Sequence, residues 1–188
     1  WCVIVFNFLF YSVAGVRLVD NVIAGHIFNG VRVGPTATMR ITGSEIYGNG
    51  WLGIDLIPDN FSSGVSPNDA LDLDDGGNGV QNYPVLATAT SDGSSTRVTG
   101  ELSSSPSDAF TLEFFAVLDP TGFGQAELFL GSASVTTSAD GTAAFDATLP
   151  VATPSGWWVT ATATLEPLGA TSEFSAGLVV VDVVCQTD

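Results

Sequence analysis

Five aspartates, Asp59, Asp69, Asp72, Asp74 and Asp75, lie close together in the chain, with Asn68 and Asn78 beside them. Carboxylate and carboxamide oxygens gathered on a flexible loop are the donors a calcium ion takes, about six to eight in all. Asp69, Asp72, Asp74, Asp75 and Asn78 are therefore the candidate metal ligands, and calcium the candidate cofactor. The spacing is not that of an EF-hand, because the closing acidic position would fall on Tyr83 or Val85. A solvated acidic loop is the competing reading of the same residues.

Sets of residues that could carry catalysis are thin. Glycoside hydrolysis needs two carboxyls facing one another, and the first third of the chain offers Asp55, with Glu45 before it. Lyase chemistry on acidic polysaccharides needs a basic catalyst, and Arg17, Arg32 and Arg40 are the basic residues of that region. His26 has no cysteine, serine or second histidine at a telling distance and reads as a corner residue. No Gly-x-Ser-x-Gly elbow occurs, and a phosphate-binding loop ending in Gly-Lys is ruled out by the lack of lysine. No catalytic residue is assigned. Trp157 and Trp158 are adjacent, so in a strand they point to opposite faces, one inward and one outward under a loop or against a sugar ring.

Charge narrows the partners. Twenty acidic residues stand against four arginines, for a net charge of −16. Nucleic acid is excluded, since binding it takes many cations to neutralise phosphates, and an anionic membrane surface would repel the chain. The apolar run Trp1 to Val13 is too short for a spanning helix, which needs about 20 residues. It reads as the cut end of a larger protein, or as the core of a signal peptide that lacks its basic flank. Cys2 and Cys185 sit near opposite ends and read as two thiols rather than a disulfide framework.

A repeat organises the first third. Offset by 23 residues, Ile23 falls on Ile46, Gly25 on Gly48, Gly30 on Gly53, Val31 on Ile54 and Val33 on Leu56. The same offset places Arg40 on Arg17, Ile41 on Leu18, Val33 on Phe10 and Val31 on Phe8. Short alternating apolar segments separated by Gly and Asn, repeated at one period, predict stacked coils with like residues above like. Residues 57–82 read as an Asp- and Gly-rich connector. From Pro84 the pattern becomes strands at 84–91, 96–103, 109–118, 127–137, 142–149, 156–165 and 171–184, with turn chemistry such as Asp119-Pro-Thr-Gly122 and Ala139-Asp-Gly141 between them. About seven short strands of this kind suggest an Ig-like sandwich.

The segments Ile46-Tyr-Gly-Asn-Gly-Trp-Leu-Gly-Ile-Asp-Leu56, Gly77-Asn-Gly-Val-Gln-Asn-Tyr-Pro-Val-Leu86 and Thr171-Ser-Glu-Phe-Ser175 carry a resemblance. The chain resembles the end of bacterial secreted and surface proteins with right-handed parallel β-helix repeats and a C-terminal Ig-like β-sandwich. The resemblance implies an all-β fold, with β-helix coils over 1–56, the connector over 57–82 and the sandwich over 83–188. It implies an extracellular or cell-surface location and, as partners, upstream coils of a parent chain and extracellular polysaccharide. The function expected is a non-catalytic structural or adhesion module at the end of a surface stalk. The alternative is the carbohydrate-binding part of a polysaccharide-degrading β-helix enzyme. Two separate folding units are expected to meet near Gln81 to Pro84, and the apolar residues 1–13 are expected to promote self-association.

Overall fold

The computed structural model describes residues 8–10, 14–58, 64–118 and 124–183. Cys2, Cys185, Asp59 and most of the apolar N-terminal run lie outside them. The described chain is nearly all β. Its one helical element is a single 3-10 turn, Gly77–Val80. No helix among the described residues is long and apolar enough to cross a membrane.

The first part is built from three-residue to six-residue strands: β1 (Phe8–Phe10), β2 (Ala14–Val19), β3 (Val22–Ala24), β4 (Val31–Val33), β5 (Thr38–Thr42), β6 (Glu45–Tyr47) and β7 (Ile54–Leu56). They form three small parallel sheets, β1-β4-β7, β2-β5 and β3-β6. Arg17 pairs with Arg40, Ile23 with Ile46, Val31 with Ile54 and Val33 with Leu56, which is the 23-residue register of the repeat. One slip, between Ala14 and Val16, interrupts the β2-β5 ladder. Alternation places Ile23, Val31, Val33, Met39, Ile41, Ile46, Ile54 and Leu56 inside, because successive side chains of a strand face opposite ways. The strands β5, β6 and β7 make up the second turn of the repeat.

The second part holds β8 (Val85–Ser91), β9 (Thr96–Ser103), β10 (Ala109–Val117), β11 (Leu128–Thr136), β12 (Thr142–Leu149), β13 (Trp158–Glu166), β14 (Ala170–Thr171), β15 (Leu178–Val179) and β16 (Val181–Asp182). One sheet runs β11-β10-β13-β14 with β15 on β13, and the other runs β12-β9-β8-β16. Pairing is antiparallel except for β16 on β8, which is parallel. Val98, Leu102, Phe110, Leu112, Phe114, Phe145, Leu149 and Val159 form the core between the sheets. Trp157 packs against that core, and Trp158, next to it, is half-buried.

The strand expected over 171–184 is instead broken into β14, β15 and β16. The reason lies in two hydroxyls. Ser172 Oγ accepts the Ala163 N–H at 2.9 Å and Ser175 Oγ accepts the Ala161 N–H at 3.0 Å. Each serine's own N–H still bonds β13, at 2.8 Å to the Ala163 and Ala161 carbonyls. Side chains thus replace the missing backbone acceptors, and the segment buckles without leaving donors unpaired. The buckle turns Glu173 and Phe174 toward the second turn.

Burial of β10 and β13 differs from that of the other sandwich strands. In β12 exposure alternates, whereas Leu112 to Val117 and Val159 to Thr164 are buried at every position. A strand buried on both faces is covered on both sides. One cover is the opposing sheet. The other is the second turn, whose inner residues share one apolar cluster with Phe115, Ala126 and Phe174.

Candidate functional site

A stack of parallel strands leaves outward N–H and C=O groups on its final member, and these template further pairing unless they are met. In the second turn they are met by the rest of the chain. The Met39 N–H donates to Asn78 Oδ1 at 2.6 Å, and Ile41 N–H to Thr171 Oγ1 at 2.9 Å. Gly43 N–H forks onto both oxygens of Glu113, at 3.1 and 2.9 Å. Ile46 and Ala126 exchange both backbone bonds, each at 2.6 Å. Asn49 N–H donates to Gln125 Oε1 at 2.8 Å, Gly53 N–H to the Gly124 carbonyl at 3.4 Å, and Leu56 N–H to Glu173 Oε1 at 2.9 Å.

Two carboxamides act as stand-in peptides. Asn78 accepts from Met39 and donates back to the Met39 carbonyl at 2.9 Å, with a further bond to the Thr171 carbonyl at 2.6 Å. Gln125 likewise donates to the Asn49 and Trp51 carbonyls at 2.8 and 3.2 Å. A primary amide carries the same donor and acceptor types as a peptide group, so it completes a ladder that no strand continues.

Apolar contact follows the same edge. Phe115 meets Phe174 edge-on, with ring centroids 5.6 Å apart, and meets Phe129 at 5.4 Å. The approach depends on two glycines: a Cβ on Gly124 would overlap Phe174, and one on Gly53 would lie 2.8 Å from its ring. Arg40, on β5, forks onto both carboxylate oxygens of Glu166.

The electrostatics of this junction are those of buried acids. Burial pushes the Glu113 carboxyl up to about 7, against the opposing pull of the Gly43 N–H, with Asp20 raising it and Arg40 lowering it. Burial pushes Glu173 up to about 8, partly offset by the Leu56 and Ser66 N–H groups, with Asp55 raising it. Asp55 is itself raised by burial while Gly64, Arg32 and Asn29 pull it down.

Of the residues expected to hold calcium, Asp69, Asp72 and Asp74 each bring a carboxylate oxygen within 4.8 Å of the others. Asp75 is not part of this group, and the Asn78 amide is committed to Met39 and Thr171. Asp72 already accepts from the Asn82 N–H at 3.0 Å, Gln81 Nε2 at 2.7 Å and Ser104 Oγ at 2.5 Å, tying the loop to the sandwich. Burial raises its carboxyl to about 6. Three carboxylates are about half of what calcium takes, and the central one is engaged by three donors. The fit is poor. Calcium up to about millimolar is expected to leave the melting temperature unchanged. A saturable rise reversed by chelator would contradict this.

Asp55 is fully buried, with Arg32 Nε at 3.1 Å and Asn29 Nδ2 at 2.7 Å. A carboxylate so enclosed does not meet a polymer. His26 is buried at its corner, where its backbone N–H donates to Asn49 Oδ1 at 3.1 Å across the 23-residue offset. Among the described residues the exposed aromatics are not the tryptophan pair Trp157 and Trp158 but Phe28 and Trp51, 47% and 57% exposed, which sit one turn apart with rings 5.2 Å apart at 78°.

No family model matches the chain, and no curated protein matches it. Among solved structures, a chain described as macromomycin is similar at 21% identity, covering 51% of this chain and 96% of its own length, with a TM-score of 0.28.

Proposed function

We propose that this chain closes the end of a right-handed parallel β-helix stalk in an extracellular or cell-surface protein, with an Ig-like sandwich as the cap. Its role is structural and adhesive, without catalysis. The observation that carries the reading is the second-turn edge, where seven outward N–H groups each find an acceptor supplied by the connector or the sandwich. A solenoid end that lacks such a cover adds further chains. The acidic, lysine-free composition suits a secreted protein.

The test is self-association. Light scattering on the full chain is compared with a variant carrying Asn78→Ala and Gln125→Ala. Both carry the apolar residues 1–13, so the comparison is of degree: the variant is expected to assemble at lower concentration than the unaltered chain. Equal behaviour of the two would remove the capping role.

The exposed Phe28 and Trp51 pair favours a second reading, the carbohydrate-binding part of a polysaccharide-degrading enzyme. Exposed aromatic faces stack on apolar sugar faces. That reading would lead if neutral oligosaccharides bound the chain and Trp51→Ala abolished the binding.

A further inference from the structure

We propose that Glu173 holds a proton in the folded protein, beside the buried Asp55, and that losing it in alkaline solution loosens the cap where it grips β7 and segment 64–66. The proposal rests on the capping reading and adds a regulation to it.

The geometry is a count of charges. Glu173 is 2% exposed and Asp55 0%. Glu173 takes the Leu56 N–H on one oxygen and the Ser66 N–H on the other, each at 2.9 Å. Asp55, the neighbour of Leu56, takes the Gly64 N–H at 3.2 Å. The two acids thus grip the chain on both sides of the segment that leaves β7. One guanidinium serves them, and Arg32 gives it to Asp55. Among the described residues Tyr83, half-buried, is a further titratable group beside Glu173, and burial and Glu173 both raise its phenol. Two buried carboxylates with one cation leave one negative charge uncompensated, and a proton on Glu173 removes it more cheaply than burial of the charge. Glu173, which has no cation partner among the described residues, is where the proton resides.

The sign follows. Burial lifts Glu173 to about 8, above its ordinary range. The stability this contributes is complete below the ordinary carboxylate range and is lost as the pH rises through about 8. Glu113, also raised by burial, acts in the same direction, so the slope of the unaltered chain does not isolate Glu173.

The experiment uses the full chain. The glutamate side-chain carboxyl carbons are titrated by NMR from acid to pH 9.5, roughly where Glu173 is fully ionised, alongside thermal melts of the unaltered chain and Glu173→Gln. One carboxyl carbon titrating above neutrality is expected, and its signal is missing in Glu173→Gln. Glu173→Gln is also expected to hold its melting temperature better than the unaltered chain on the alkaline side. If Glu173→Gln fails to fold, the titration of the unaltered chain decides. The proposal is overturned if the Glu173 carboxyl carbon titrates in the ordinary carboxylate range, whatever Glu113 does, or if the two melting profiles run parallel. Either result leaves the capping contacts, which light scattering tests separately.

Discussion

Asn78→Ala is expected to lower the unfolding free energy by about 3–5 kcal/mol, and the melting temperature by roughly 10 °C. The Asn78 side chain is 4% exposed and ties three segments together through the Met39 N–H, the Met39 carbonyl and the Thr171 carbonyl. Removing it strands three buried backbone groups, each worth about 1–3 kcal/mol when left unmet. The backbone adds to the loss, because Asn78 sits at φ 53°, in the left-handed region that alanine avoids. Asn78→Asp separates the two parts of the argument. It keeps an acceptor for Met39 but has nothing to donate to two carbonyls, so it should be no better than alanine at neutral pH. A loss below about 1 kcal/mol in urea unfolding would show that water replaces the amide without penalty.

The second large effect concerns cooperativity. The sequence predicts two folding units that meet near Gln81 to Pro84, with a stable piece starting at Tyr83. The structure gives the second turn and the sandwich one shared apolar cluster, in which Phe115 and Phe174 are each 2% exposed. The full chain is therefore expected to unfold in one calorimetric transition. A piece that begins at Tyr83 would expose both phenylalanines, at about 1.5–3 kcal/mol each. It would also lose the Asn78 clip and the last-turn donors that Glu113 and Glu173 accept. It should melt lower by roughly 15 °C or more. Two well-separated transitions, the upper one matching the piece alone, would restore the two-unit picture.

What was readable in the sequence and what was not divide along physical lines. The 23-residue register was readable, because Ile23 above Ile46 and Val33 above Leu56 are identical or like residues at a fixed period. Six sandwich strands were readable to within a residue or two from alternation and turn residues. The junction was not, because its residues carry no period. Asn78 looked like a metal ligand since an exposed loop and a buried clip use the same amide. Gln125, Glu113 and Glu173 looked like ordinary strand and loop residues. One signal was present: Phe114-Phe115-Ala116 is apolar on both parities, which a strand with a wet face avoids. The phrases Gly77-Asn78 and Thr171-Ser-Glu-Phe-Ser175, which carry the resemblance, contain Asn78, Thr171 and Glu173, which accept the outward N–H groups of Met39, Ile41 and Leu56.

The most direct measurement is native-state hydrogen exchange on the full chain, followed residue by residue. It reads whether the second-turn edge is continuous with the sandwich. The amides of Met39, Ile41, Gly43, Ile46, Asn49 and Leu56 are predicted to exchange only through global unfolding, with the same free energy as core amides of β10 and β13. Exchange of these amides at the rate of an open strand edge, while the sandwich core stays protected, would contradict the account of a capped end.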